Sequence, residues 1–291
     1  MTRSPVFRMD RDSPHVYQSG DSESASRTRY VIVGMPRSGT TLVHKAVAGH
    51  PNASALNDEL CVSPFWDRAL STFTFGHETP EERRAGHVAL FDAVTSIAAS
   101  AETRAFGVKC CVSSPREAEL VVTSAMRTIP GVKIILVVRR DLVAQYASLL
   151  RARRSGAWHS WRRTDRPPAP QVHIRPLLFD RYATNALGTL AQLRCAPAAH
   201  QVVFEELVGG RAEEFRKIFD FLELPDVPVD WELGDKVSPP PEAYIDNYLE
   251  MSNRLASLVE GHASGTLALS TRLTATLLDI ASRSRRMLRG R

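Results

Sequence analysis

Residues 30–45 restrict the possible folds of this chain more than any other stretch: Tyr30-Val31-Ile32-Val33-Gly34-Met35-Pro36-Arg37-Ser38-Gly39-Thr40-Thr41-Leu42-Val43-His44-Lys45. A β-branched run ends in a glycine-bearing loop, which opens into an apolar segment that halts at His50-Pro51. The order is strand, loop, helix. In such a turn the backbone N–H groups and the positive end of the helix macrodipole face one point, which suits a tetrahedral anion. The spacing nearly matches the triphosphate loop GxxxxGK[ST]. Gly34 and Gly39 hold the glycine positions and Thr41 the hydroxyl position, but Thr40 stands where the lysine belongs and the cation is Arg37.

That displacement has a chemical consequence. A triphosphate loop uses its lysine on the β- and γ-phosphates and its hydroxyl on Mg²⁺. Without the lysine the loop is better matched to a less charged group, such as a sulfuryl donor, whose sulfonate carries one charge and needs no metal. The run Pro36-Arg37-Ser38-Gly39-Thr40-Thr41 resembles the 5′-phosphosulfate loop of the sulfotransferase family. Taken by itself, the loop also fits a degenerate small-molecule kinase, a non-catalytic binder of nucleotides or polyanions, or an ordinary strand-to-helix turn.

The rest of the chain predicts an α/β domain. With 291 residues, 43% of them hydrophobic, there is enough apolar material for one full core, and no repeat or composition break divides it. Residues 1–28 are rich in Ser, Asp and Arg and read as a disordered tail. A single domain is expected over 29–291, with a helical C-terminal part. Strands are expected at 52–57, 105–111, 133–138 and 201–204, and helices near 80–101, 115–127, from 141, 177–194, 212–222, 242–261 and 270–288. The near-continuous apolar run Lys133–Val138 suits a central strand of a parallel sheet, buried on both faces by helices.

Charge is local. The formal net charge is +5, and residues 151–166 hold six arginines against Asp165, so this segment alone equals the whole excess. That is a cationic patch, not the uniform basic surface of a nucleic-acid binder. With Trp158, His159 and Trp161 among the arginines, it reads as an acceptor-binding lid, and it also suits peripheral contact with a membrane carrying glycolipid acceptors. Four cysteines without a CxxC pair suit free thiols in a reducing compartment. With no membrane-length apolar run and no signal-peptide core at the start, a cytoplasmic location is expected.

A second anion site is expected at the end of strand 133–138. Arg140 lies there, and Ser148 sits two turns into the following helix, where a serine gains little structurally. On that helix Leu142, Val143, Tyr146, Leu149 and Leu150 form an apolar face, while Asp141, Gln145, Ser148 and Ala152 lie on another stripe. Sulfotransferases carry an arginine at this strand end and a serine eight residues on, and Arg140 and Ser148 match that spacing; Arg139 is one residue out of register. The wording from Arg139 to His159, with Phe106-Gly107-Val108-Lys109 and Phe204-Glu205-Glu206-Leu207, is similar to bacterial carbohydrate sulfotransferases of the trehalose and nodulation-factor type.

The resemblance implies a fold, a P-loop-like parallel sheet flanked by helices, and a donor, 3′-phosphoadenosine 5′-phosphosulfate, with no metal. It implies that Arg140 and Ser148 bind the 3′-phosphate. Pro36, Arg37, Ser38, Gly39, Thr40 and Thr41 would bind the 5′-phosphosulfate, and Arg37 would stabilise the departing phosphate. The acceptor would be a hydroxyl on a carbohydrate or glycolipid. No histidine follows Lys109-Cys110-Cys111, where animal cytosolic relatives place their base, whereas the trehalose-type enzymes use a glutamate after the second strand. Glu59 corresponds to it, with Asp58 as the neighbouring alternative and Lys109 near the bridging oxygens or the acceptor. His44 and His50 are read as packing or capping residues.

Overall fold

The computed structural model describes residues 27–59, 102–128, 131–155, 171–196, 198–228 and 239–265. Of the expected tail 1–28, residues up to 26 lie outside these, while Thr28 already belongs to the first strand; the helices near 80–101 and 270–288 and the aromatic and arginine-rich residues 156–170 also lie outside.

Five strands form one sheet: β1 (Thr28–Gly34), β2 (Ala53–Glu59), β3 (Ala105–Cys111), β4 (Lys133–Val138) and β5 (His200–Val203). Their order is β2-β3-β1-β4-β5, and every pairing is parallel. The chain therefore leaves β1 toward one edge and later crosses to its other side, which makes the carboxyl end of β1 a topological switch point. The helices are α1 (Thr40–Ala48), α2 (Pro115–Thr128), α3 (Leu142–Ser155), α4 (Pro176–Arg194), the short α5 (Phe204–Gly209), α6 (Arg211–Phe221) and α7 (Tyr248–Gly265).

Alternation along β1 and β4 builds the two faces. Tyr30, Ile32, Ile135 and Val137 pack with Val43, Ala46 and Val47 of α1 and Phe215, Ile218 and Phe219 of α6. Val31, Val33, Ile134 and Leu136 point the other way, onto Ala118, Val121 and Val122 of α2 and Leu193 of α4. With both faces covered, β4 can be apolar throughout, as its sequence predicts. A third cluster caps the carboxyl edge: Met35 and Val138 meet Leu142, Val143 and Tyr146 of α3, Phe179 and Leu187 of α4, and Met251 and Leu255 of α7.

Two expected boundaries and one expected burial pattern differ for physical reasons. Strand β5 stops at Val203, because Phe204 turns at once into α5 and lays its ring over the loop after β1. The last described helix starts at Tyr248 and not near Glu242. The backbone before it is spent on a bridge, with the Val172 N–H donating to Tyr244 O and the Asp246 N–H donating to Val172 O. Helix α3 is not divided into a buried and an exposed stripe, because Gln145 and Ala152 of its expected polar stripe are buried as well. It is enclosed between the β1 loop and the helices α4 and α7. No helix among the described residues is long and apolar enough to cross a membrane.

Candidate active site

The loop from Met35 to Gly39 lies at the switch point. It begins with a tight turn in which the Ser38 N–H donates to Met35 O at 3.1 Å. Pro36 occupies the second position, and Arg37 the third with φ of 68°, the pattern of a type II turn that normally asks for glycine. Gly39, at φ 102°, then starts α1. A β-carbon at Gly39 would stand 2.6 Å from the Phe204 ring, so the loop needs glycine there for both conformation and space.

Helix α1 has no side-chain cap and no acid in its first turn. Its first internal bonds run from the Leu42 and Val43 N–H groups to Gly39 O, at 2.9 and 3.2 Å. Among the described residues the N–H groups of Gly39, Thr40 and Thr41 meet no acceptor. They present an uncompensated positive end. Ser38 Oγ, Arg139 Nε and Arg140 Nε are also buried without a partner among the described residues. Buried polar atoms are normally satisfied, so the unused donors at this loop, from Ser38 to Thr41 with Arg139 beside them, fit an anionic ligand.

The carboxyl end of β4 supplies the second half. Arg37 Nε donates to Ser148 Oγ at 3.0 Å, so the serine of α3 and the arginine of the β1 loop meet directly. Gln145 Nε2 donates to Pro36 O at 2.9 Å. Arg139 Nη1 lies 3.5 Å from Arg37 O, and its guanidinium sits 4.7 Å from the centre of the Phe204 ring. Arg140 is directed elsewhere, into an ion pair with Glu206 of α5. Glu205 accepts the Arg140 and Asp141 N–H groups, one on each carboxylate oxygen, both at 3.1 Å. Asp141 caps α3 by accepting the Ala144 N–H at 2.8 Å, and Tyr248 donates to its other oxygen at 2.9 Å. Burial raises the Asp141 pKa, against the N–H of Ala144, the charge of Arg139 and the Tyr248 hydroxyl.

On the other side of β1, Lys109 is buried at the end of β3 and donates to Thr41 Oγ1 at 3.0 Å. An ammonium thus touches the hydroxyl that would face Mg²⁺ in a triphosphate loop. Thr40 Oγ1 lies 3.6 Å from Cys111 Sγ. Glu59 is the last residue of β2, opposite Lys109 in the β2–β3 register, beyond a register shift that begins at Ala55. Of the sequence-expected set, Arg37, Ser38, Gly39, Thr40, Thr41, Ser148 and Lys109 thus surround one loop. The backbone of Glu59 stands at the neighbouring strand end, whereas the expected Arg140 turns away from the loop to pair with Glu206. The sequence reading missed Arg139 as a loop contact, Gln145, and Phe204; the glycine at position 39 was the available signal for Phe204. His50 is structural, as expected: its Nδ1 accepts the Asn52 N–H at 3.0 Å, so Nε2 carries the proton and donates to Pro225 O at 2.9 Å.

A family model described as "Sulfotransferase family" matches residues 30–228, from the first residues of β1 through α6. The chain belongs to the sulfotransferase family. Among solved structures, a sulfotransferase from Alicyclobacillus acidocaldarius matches with a TM-score of 0.47 and 16% identity, over 82% of this chain and 95% of that one. The sulfotransferase domain of the Synechococcus PCC 7002 olefin synthase gives 0.43 and 19%, over 91% and 97%. The sulfotransferase domain from the curacin biosynthetic pathway gives 0.41 and 17%, over 88% and 97%. Among curated proteins, none matches the chain. In this sulfotransferase-family member the turns after β1 and β4 lie at adjacent strand ends and touch through Arg37 and Ser148.

Proposed function

We propose that this protein transfers a sulfuryl group from 3′-phosphoadenosine 5′-phosphosulfate to a hydroxyl of a carbohydrate or glycolipid, in the cytoplasm and without a metal. The observation that carries this reading is the 3.0 Å contact between Arg37 Nε and Ser148 Oγ. It puts the strand-end cradle of β1 within a side chain's reach of the one after β4, a span suited to a nucleotide with anionic groups at both ends of its ribose.

In this reading Pro36, Arg37, Ser38, Gly39, Thr40 and Thr41 hold the 5′ end. The backbone N–H groups at the start of α1 and the Arg37 guanidinium neutralise charge that grows on the leaving phosphate. Ser148 and Arg140 hold the 3′-phosphate, which must draw Arg140 from Glu206. Transfer of this kind is loose, so aligning the acceptor oxygen with sulfur does most of the work. Glu59 takes the hydroxyl proton, and Lys109 lies between that strand end and Thr41 to meet oxygens of the transferring group. A kinase reading is disfavoured because the Lys109 ammonium sits on the Thr41 hydroxyl, where a Mg²⁺ ion would be repelled. We assign residues 29–291 to one domain.

The test is transfer of labelled sulfate from the donor to a panel of sugars, glycolipids and phenols, with a parallel thermal shift. Adenosine 3′,5′-bisphosphate without Mg²⁺ should stabilise the protein, by about 2.7 kcal/mol at a hundred times its Kd. Stabilisation by ATP and Mg²⁺ alone would overturn the assignment.

A further inference from the structure

Arg37 combines two properties that oppose each other. It is the proposed reactive-group cation, and its backbone has φ of 68°, left-handed and costly for a residue with a side chain. Something must hold it there. The conformation of residue 37 is set by the two peptide planes that flank its α-carbon, and each of these planes carries one carbonyl. Pro36 O is held by Gln145 Nε2 at 2.9 Å, and Gln145 is itself buried. Arg37 O faces Arg139 Nη1 at 3.5 Å. The Arg139 guanidinium is kept in place by the Phe204 ring, 4.7 Å away. The same Phe204 ring closes on Gly39, the other left-handed residue of the loop. Both carbonyl partners come from the β4–α3 segment that also carries Ser148.

We propose that Arg139, Gln145 and Phe204 are positioning residues that clamp the two peptide planes around Arg37 and so aim its guanidinium at the transferring group. This rests on the proposed sulfuryl transfer for its catalytic consequence, but the clamp itself is a claim about backbone strain. Arginine suits the task because its planar guanidinium can stack on Phe204 and donate sideways at the same time, which an ammonium cannot do. Misplacing a reacting group by about 1 Å can cost about a hundredfold in rate. The clamp therefore predicts a loss concentrated in kcat.

The experiment has two readouts. In steady-state transfer, Arg139→Lys and Phe204→Leu should lower kcat by about ten- to a hundredfold with donor KM changed by less than about threefold, and Phe204→Tyr should retain most of the rate. A fall confined to donor KM would overturn the positioning role. The second readout needs no turnover. Arg139→Met is introduced into Arg37→Ala, which keeps the strain, and into Arg37→Gly, which relieves it. The fall in Tm should be no more than about half as large in the alanine parent, because there the freed loop relaxes and recovers its strain. Equal falls in both parents would overturn the clamp, even if the protein proved to move no sulfate. Conversely, unequal falls with no transfer would keep the clamp and refute the reaction. If Arg139→Met does not fold, Gln145→Met in the same two parents decides the question in the same way.

Discussion

Arg37 occupies the third position of its turn without being glycine, and this has a measurable consequence. Replacing it with glycine removes the guanidinium but suits the left-handed backbone, whereas alanine removes the guanidinium and keeps the strain. Arg37→Gly should be more stable than Arg37→Ala by about 1 kcal/mol in urea denaturation. Both should lose about a hundred- to a thousandfold in kcat, the usual effect of deleting one group that stabilises transition-state charge. A second residue-scale effect concerns His200, stacked on Phe221 at 5.1 Å. Burial lowers its pKa, Lys217 adds to the effect and Glu214 opposes it. A lowered histidine pKa means that the unfolded chain takes up the proton first. Stability should therefore rise with pH up to about 6.5 and stay level above it. Tm at about pH 5.5 should lie below that at about pH 7.5, and His200→Phe should narrow the gap; an unaltered gap would assign the slope to other groups.

At the scale of elements, the short helix α5 carries more than its length suggests. Through Phe204 it closes on Gly39, through Glu205 it accepts the two N–H groups at the β4–α3 turn, and through Glu206 it holds Arg140. Glu206 and the proposed 3′-phosphate compete for one guanidinium. Glu206→Gln should therefore tighten adenosine 3′,5′-bisphosphate by about two- to fivefold, the range of a part-exposed ion pair, with a smaller gain at high salt. Calorimetric titration measures this. An unchanged or weaker affinity would mean that Arg140 does not turn toward the nucleotide. Asp141 and Tyr248 make a second such link, joining the cap of α3 to α7.

At the scale of the whole molecule, three apolar clusters have different duties. Two cover the faces of the sheet. The third places α3 and α4 with α7 against Met35 and Val138, the residues that begin the two site turns. The pair between Arg254 and Asp180, at 2.5 and 2.6 Å, ties α7 to α4 at its rim. Met251→Ala, in the middle of that cluster, should cost about 2–5 kcal/mol by the large-to-small rule. It should also weaken the bisphosphate, because α3 carries Ser148 and Gln145. A stability loss with bisphosphate affinity intact would show that the cluster supports the fold without steering the site.

The five strands and the described helices between them were legible in the sequence because local pattern dictates them. A β-branched run ending in Gly34, the unbroken apolar stretch of β4, and the spacing from Pro36 to Thr41 each act within a few residues of themselves. The meeting of Arg37 with Ser148 was legible only as the spacing of two motifs. Whether their side chains touch depends on β1 and β4 being neighbours, which is a long-range fact. The tertiary structure alone decided which of two adjacent arginines reaches the loop. Consecutive residues at a strand end point in different directions, and here Arg139 finds Phe204 while Arg140 finds Glu206, both supplied by a segment more than sixty positions later in the chain.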